Sequence, residues 1–193
     1  MIEVHNLFSI PLLKTQLDFP VDEIEKLCYQ FKNDNDGVVK SNEGGWQSGN
    51  ILYPESPFSF LYGIEDICNH FARDVLAFDR IISLTSAWIN INHKHHSNRT
   101  HTHPLCTLSG VYYVKTPEES GDIIFYHPCE DMMSRDWCNT NVLEYNCYNS
   151  NTMRYPVSQG QLLLFPSFIH HRVDPNKSDE GRISISFNMS EKF

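Results

Sequence analysis

Two histidines separated by one residue, His101 and His103, lie in the sequence RTHTHP and could bind one metal ion. In an extended strand, side chains two positions apart point to the same side, so both imidazoles can face a single ion. A third histidine, His171, lies far along the chain in FPSFIHHRV, where the adjacent His170 would point the opposite way. Three ligands on one face of an octahedron are typical of non-haem Fe(II) sites for oxygen chemistry. From the spacing alone, a His-rich surface tract is an equally good interpretation.

An arginine in the last predicted strand could hold an anion beside this ion. In RISISFN, residues 182–188, apolar and polar side chains alternate, beginning with Arg182. The polar side could face water, as in an ordinary half-buried strand. Alternatively, the apolar side packs under the N-terminal helices, and the polar side lines a wet cavity where a guanidinium suits a bidentate carboxylate. Because Arg182 follows His171 by eleven positions, metal and guanidinium together would suit a metal-chelating dicarboxylic acid.

The composition is that of a globular protein with ample core material. The chain has 193 residues, of which 40% are hydrophobic, 12% aromatic and 20% charged, so we expect a single domain over residues 1–193. No apolar run approaches the roughly 18 residues that span a bilayer, and the N-terminus lacks the basic region of a signal peptide. The net charge of −9 without a basic stripe argues against nucleic acid as a partner.

The six cysteines are scattered, with no C-x-x-C pair. Together with the lack of an export signal, this spacing predicts reduced thiols and a cytoplasmic location.

Helical patterns precede strand patterns along the chain. Helices are predicted over residues 21–31 and 64–78, within an N-terminal helical support that covers residues 1–80. From residue 81 onward the apolar pattern repeats every two residues. The predicted strands cover residues 81–92, 107–114, 122–127, 161–165, 169–173 and 182–188. This order predicts an α+β fold, mainly β, with a sandwich or barrel core over residues 81–193.

The strand predicted over residues 81–92 offers polar groups to the pocket. Alternation places Ile82, Leu84, Trp88, Asn90 and Asn92 on one face. Trp88, Asn90 and Asn92 could orient cosubstrate or substrate there, although Trp88 would serve equally well as a core residue.

Residues 128–156 show no clear period. A connection of this length without secondary structure is usually a functional loop or a lid. Arg135 and Trp137 are the candidates within it for contacts with substrate, and the alternative is a solvated loop.

Two ordered blocks make the sequence resemble the Fe(II)/2-oxoglutarate-dependent oxygenase superfamily. They are HTHPLCTLSGVYYVKTPEESGDIIFYHP, residues 101–128, and GQLLLFPSFIHHRVDPNKSDEGRISISFN, residues 160–188. Upstream, AWINI (residues 87–91) and GGWQS (residues 44–48) fit the same group, which looks closest to oxygenases of marine phages and bacteria. The resemblance implies a double-stranded β-helix, a cupin-like jelly roll, buttressed by the N-terminal helices.

The resemblance also implies roles for individual residues. His101 and His171 would be iron ligands, and Arg182 would hold the distal carboxylate of 2-oxoglutarate. The residues implied to bind or surround 2-oxoglutarate are Arg182, Ser184, Tyr113 and Ser109.

His103 stands where the superfamily motif, H-x-D or H-x-E, has its carboxylate. The closer group resembles this chain in having H-x-H, so His103 could be the second ligand. Otherwise Asp122 or Asp131 supplies a carboxylate, or water takes the position. Three neutral imidazoles leave the metal its full 2+ charge, which favours the dianionic 2-oxoglutarate, but they also suit Zn, Ni or Cu.

The implied activity is oxidation of an unknown small molecule or side chain by Fe(II), 2-oxoglutarate and O2, with decarboxylation of 2-oxoglutarate to succinate. Two alternatives remain. A cupin-like metalloenzyme could use the same histidines without 2-oxoglutarate, in which case Arg182 is dispensable. A non-enzymatic jelly roll could bind a metal or ligand without turnover. A homodimer is compatible with the sequence.

Overall fold

Two facing antiparallel sheets form the centre of the protein. The computed structural model describes residues 1–191. Its strands are β1 (Leu13–Gln16), β2 (Asn42–Glu43), β3 (Trp46–Gln47), β4 (Ile82–Asn92), β5 (Ser97–His101), β6 (Leu108–Lys115), β7 (Ile123–Tyr126), β8 (Thr152–Tyr155), β9 (Gln161–Pro166), β10 (His171–Val173) and β11 (Arg182–Glu191). The six-stranded sheet has the order β1-β9-β6-β11-β4-β3, and the five-stranded sheet has the order β2-β5-β10-β7-β8. This is the predicted double-stranded β-helix, mainly β with few helices.

The helices lie mostly in the N-terminal part. They are α1 (Val21–Asn33), a 3-10 helix (Ser59–Ile64), α2 (Glu65–Asp74) and the short α3 (Glu130–Asp136). The helix predicted over residues 21–31 is therefore confirmed, with two further residues. The helix predicted over residues 64–78 is shorter, because Ala77 adopts a φ of 55° and a residue in the left-handed region cannot continue a right-handed helix. No helix within residues 1–191 has the length and apolar character needed to cross a membrane.

Strands that the sequence pattern missed are short or polar. β5 reads SNRTH and has no apolar side chain, while β8 is an exposed edge strand that pairs only with β7. β1, β2 and β3 have four residues or fewer. None of these segments carries an alternating apolar pattern long enough to be recognised.

Two apolar cores lie on opposite sides of the six-stranded sheet. The helix-side core packs α1 and α2 against it and includes the fully buried Ile183, Ile185 and Phe187 of β11. The inter-sheet core consists of Val111, Tyr113, Ile123, Phe125, Leu163, Phe165 and Ile169. The polar side of β11 therefore faces the space between the sheets, which is the second of the two interpretations of RISISFN.

One prediction about β4 is wrong. Ile82 and Leu84 belong to the helix-side core together with Ala87, not to the face that carries Trp88. In the pairing with β11, consecutive partners of β4 skip Thr85, which marks a β-bulge. Since side chains alternate with a period of two, one extra residue turns the side chains that precede it in the strand, including Ile82 and Leu84, to the other face.

Candidate active site

Three histidines from different parts of the chain meet between the sheets. His101 ends β5 and His171 begins β10, and the two residues are direct partners in the antiparallel pairing of these strands. His103 follows β5, and its backbone N–H donates to the carbonyl of Ser167 at 3.0 Å. One ring nitrogen from each imidazole lies within 4.8 Å of the others. The arrangement could hold one metal ion.

Backbone carbonyls orient two of the three rings. Nδ1 of His101 lies 2.7 Å from the carbonyl oxygen of Arg99, and Nδ1 of His171 lies 3.0 Å from that of Ile169. A carbonyl can only accept, so each Nδ1 carries the proton, and each Nε2 presents a lone pair to the centre of the cluster. Such hydrogen bonds fix both tautomer and ring orientation in metal sites.

Burial keeps the three imidazoles neutral. It lowers the pKa of His171 to about 3, with a further contribution from His101, and lowers that of His103 to about 4. Burial also lowers the pKa of His101. Neutral imidazole is the form that binds metal, so the rings are in the correct protonation state at neutral pH.

No carboxylate joins the three histidines in residues 1–191. Asp122 accepts a hydrogen bond from Arg154 at 3.0 Å, and Asp131 lies exposed on α3. This placement favours His103 over either aspartate as the second ligand, and the ligand assignment stays a prediction.

A small enclosed space, here called the inner cavity, adjoins the three histidines. Its volume is about 40 Å³, and its lining includes Arg182, Tyr113 and Ser184. Ser184 pairs directly with Tyr113 across β11 and β6.

The guanidinium of Arg182 is buried without a carboxylate partner among the described residues. Its Nη1 donates to the carbonyl oxygens of Ser120 at 2.5 Å, Gly121 at 3.3 Å and Asp174 at 3.4 Å. Burial lowers its pKa, but arginine stays charged in proteins. A buried cation that is anchored through one nitrogen can offer its remaining donors to an anion.

The hydroxyl of Tyr113 is the second polar group of the inner cavity with unused capacity. It is buried and has no hydrogen-bond partner within residues 1–191, and burial raises the pKa of the phenol. An unsatisfied buried polar group costs about 1–3 kcal/mol. A ligand carboxylate beside Arg182 would supply the missing acceptor, so these two residues fit one end of a dicarboxylic acid.

The other predicted pocket residues divide into two groups. Trp88 and Asn90 line the inner cavity. Ser109 and Asn92 lie outside its lining. The Ser109 hydroxyl bonds to Ser167 at 2.7 Å and donates to an Asn188 oxygen at 2.8 Å. The amide of Asn92 donates to Asn98 at 3.0 Å.

Arg135 and Trp137, the two candidates for substrate contact in residues 128–156, do not line the cavity beside the three histidines. Arg135 pairs with its neighbour Asp136 at the surface. Trp137 lines a separate open cavity of about 830 Å³, which the loop itself forms. The segment includes α3 and β8, so it is less irregular than its composition predicts.

A second cavity, here called the outer groove, connects the site to the surface and was missed by sequence reasoning. Its volume is about 690 Å³, and it shares Ser41, Trp88, His101 and His103 with the inner cavity. The ring of Trp88 lies over that of His103, with centroids 5.5 Å apart. Residues 39–41 and Gln47 form its other wall, and only the GGWQS motif pointed to this part of the chain.

A jelly roll that gathers three histidines beside a buried, unpaired arginine has the site of a metal-dependent enzyme acting with an anionic cosubstrate. Sequence comparison is consistent with this class. Residues 86–188, slightly more than half of the chain, match the family described as "Putative 2OG-Fe(II) oxygenase". The chain therefore belongs to this family of Fe(II)- and 2-oxoglutarate-dependent oxygenases. A search of curated protein sequences found no significant match.

Solved structures of low sequence identity share the fold. A Pseudomonas putida prolyl-4-hydroxylase has 11% identity and a TM-score of 0.63, over 94% of this chain and 93% of that one. HygX from Streptomyces hygroscopicus, solved with nickel and 2-oxoglutarate, has 13% identity and a TM-score of 0.63, over 95% and 84%. The epimerase SnoN of nogalamycin biosynthesis has 12% identity and a TM-score of 0.69, over 93% and 78%.

Proposed function

We propose that this protein is a dioxygenase that uses Fe(II), 2-oxoglutarate and O2 to oxidise a small molecule or a side chain in a hydroxylase-type reaction. The observation that carries the proposal is the inner cavity, where the Arg182 guanidinium and the Tyr113 hydroxyl have no anionic partner in the described part of the chain and lie beside three neutral imidazoles. A metal-chelating dicarboxylic acid requires a metal ion at one end, which the imidazoles could hold, and a cation with a hydrogen-bond donor at the other, which Arg182 and Tyr113 offer.

Each residue has a distinct part in holding the reactants. His101, His103 and His171 would bind the ion through the ring nitrogens that converge on it. Arg182 and Tyr113 would bind the distal carboxylate by charge-assisted hydrogen bonds, with assistance from the hydroxyl of Ser184. The ion with 2-oxoglutarate and O2 supplies the oxidising chemistry, in which 2-oxoglutarate is decarboxylated to succinate as substrate is oxidised.

The surrounding chain contributes positioning and exclusion of water. Val111, Ile123 and Phe165 line the inner cavity with apolar surface, which limits the access of water to the reacting groups. No side chain in this arrangement needs to act as a general base. The outer groove, on the solvent side of His101 and His103, is then the place where substrate approaches.

Anaerobic titration tests the proposal. Protein freed of metal receives Fe(II) and then 2-oxoglutarate, and the visible charge-transfer band of the chelate is recorded. We expect a band in the wild-type protein and in the exposed-arginine control Arg73→Gln, and at least about tenfold weaker 2-oxoglutarate binding in Arg182→Gln. The proposal would be contradicted if the protein bound metal but showed no band, and if Arg182→Gln gave the same result as the wild type.

A second candidate function is favoured by the absence of a carboxylate among the three histidines of the described chain. A cupin-like metalloenzyme without 2-oxoglutarate would use such a site, and three imidazoles also suit Zn, Ni or Cu. The same titration separates the two functions, because only the 2-oxoglutarate-dependent enzyme needs Arg182. A non-enzymatic jelly roll would bind metal and show no O2-dependent turnover.

Four further features belong to the proposal. The residue blocks support closeness to oxygenases of marine phages and bacteria, and the chain would act as one domain with residues 128–156 as its lid. A cytoplasmic location agrees with six free cysteines. A homodimer is proposed without a defined interface, and sedimentation of the purified protein would test it.

A further inference from the structure

The outer groove carries positive charge in an acidic protein. The chain has a net charge of −9, yet the lining of the groove includes Lys40 and Arg99 and no aspartate or glutamate among the described residues. Neither cation forms an ion pair within residues 1–191, whereas Lys94, Lys115 and Arg154 each do. The two free charges therefore lie where substrate would approach the metal site.

Backbone contacts hold Arg99 at the rim of the groove. Its Nη2 donates to the carbonyl oxygen of Lys40 at 2.7 Å, and its backbone N–H donates to that of Ser41 at 2.8 Å. The backbone N–H of Lys40 donates in turn to the side chain of Asn42 at 2.8 Å. These contacts tie residues 40–42 to β5, and they leave most guanidinium donors of Arg99 and the ammonium of Lys40 available.

An unused polar group lies in the same wall. Gln47 is 6% exposed and lines the outer groove, and its Oε1 has no hydrogen-bond partner among the described residues. Buried amide groups are normally satisfied, so a hydroxyl or amine on a bound molecule would complete its hydrogen bonding. Trp88 adds an aromatic surface next to His103.

We infer that the substrate of this site is a small oxyanion, carrying a carboxylate or a phosphate, that Lys40 and Arg99 bind in the outer groove while Gln47 contacts a neighbouring polar group. The inference rests on the proposed function, because it takes the groove as the substrate site of the oxygenase. A volume of about 690 Å³ lies within the range of small-molecule sites. Both oxyanions suit a lysine and an arginine at the rim.

The test measures binding of simple probes to metal-free protein. Phenyl phosphate and phenylacetate are the anionic probes, and phenylacetamide is the uncharged match for phenylacetate. Calorimetry at low ionic strength gives the affinities, and the indole signal of Trp88 in a protein NMR spectrum reports the location. We expect one or both anions to bind at least about tenfold more tightly than the amide, and to shift the Trp88 signal.

Four variants assign the binding to residues. Lys40→Gln and Arg99→Gln should each lower the affinity for the anion by about fivefold, which is the effect expected for the loss of one exposed ion pair. The exposed controls Lys26→Gln on α1 and Arg73→Gln on α2 remove the same charges outside the lining of the groove and should leave the affinity unchanged. The anionic probe that binds more tightly identifies the class of oxyanion, phosphate or carboxylate.

Three results would overturn the inference. The first is equal affinity for anion and amide, and the second is an equal loss of anion affinity in the Lys26→Gln and Arg73→Gln controls. The third is anion affinity that is unchanged in Arg99→Gln but lost in Arg182→Gln. The last result would place the probe in the inner cavity. Because the probes are measured without metal, a negative result with them does not bear on the Fe(II) and 2-oxoglutarate titration. Equally, a negative titration does not alter the probe affinities, so the two proposals can fail separately.

Discussion

The Nε2 atoms of His103 and His171 lie 3.3 Å apart, although 68 positions separate the two residues in sequence. The proton of His171 is on Nδ1, where it donates to Ile169, so its Nε2 offers a lone pair towards His103. A proton on Nε2 of His103 would make this contact a hydrogen bond to the lone pair of His171. If a metal ion replaced that proton, both nitrogens would lie in one coordination sphere.

Removal of the His103 imidazole tests whether it is a ligand. Loss of a residue that only orients a ligand costs about 10–100-fold in metal affinity, so His103→Ala should weaken Fe(II) or Ni(II) binding by at least about 100-fold. His103→Asp should retain tight binding, because a carboxylate restores a metal ligand. Anaerobic calorimetry measures both. His70→Ala, at an exposed histidine of α2, serves as control, and wild-type affinity in His103→Ala would favour an aspartate or water as the second ligand.

The Tyr113 hydroxyl should have opposite effects on stability and on cosubstrate binding. Tyr113→Phe removes a buried hydroxyl without a partner, so we expect the free energy of unfolding in urea to rise by about 1 kcal/mol. The same change should weaken 2-oxoglutarate binding by about 5–10-fold, because the carboxylate loses one hydrogen bond.

Tyr112 provides the matched control for this prediction. Its hydroxyl is also buried and has no partner in residues 1–191, but the residue belongs to the helix-side core. Tyr112→Phe should raise the free energy of unfolding without any effect on 2-oxoglutarate. If both variants leave the charge-transfer titration unchanged, Tyr113 has no part in binding the cosubstrate.

Gly121 allows the backbone to approach Arg182. Its φ is 90°, and a Cβ atom there would lie 2.9 Å from Nη1 of Arg182 and against the carbonyl of Asp174. Gly121→Ala should therefore lower the free energy of unfolding by about 1–3 kcal/mol and weaken 2-oxoglutarate binding by displacing the guanidinium. Gly49→Ala, where no atom lies within 4 Å of the added methyl group, should change neither quantity. Wild-type affinity for 2-oxoglutarate in Gly121→Ala would show that the guanidinium tolerates the shift.

The alternation in residues 182–189 of β11 predicted the direction of their side chains, because each residue on one side is apolar and each on the other is polar. Periodicity could not reveal the bulge at Thr85, since no residue in ISLTSAWININ marks the extra position, and Ile82 and Leu84 were consequently placed on the wrong face. The blocks around His101 and His171 pointed to the histidines. The outer groove was missed because Lys40 and Gln47 become neighbours of His103 only through the pairing of β2 with β5 and of β3 with β4.

Buried thiols give the protein a specific response to high pH. Burial raises the pKa of Cys28 and Cys68 to about 12 each, from about 9 in the unfolded chain. Between these values the unfolded state loses protons that the folded state keeps, so stability is full below pH 9 and falls as the pH rises towards 12. The slope is about 1.4 kcal/mol per pH unit for each thiol.

Urea unfolding at pH 8 and pH 10 tests this expectation on the two thiols. The double variant Cys28→Ala/Cys68→Ala should be less stable at pH 8, because it leaves cavities in the helix-side core, but its stability should fall less between the two pH values. The exposed pair, Cys138→Ala/Cys147→Ala, should retain the wild-type slope. In the folded wild-type protein, a thiol reagent at pH 8 should label Cys138 and Cys147 promptly, and Cys28 and Cys68 only as fast as the protein unfolds. Equal slopes in both double variants would show that other groups, such as the buried tyrosines, dominate the alkaline loss of stability.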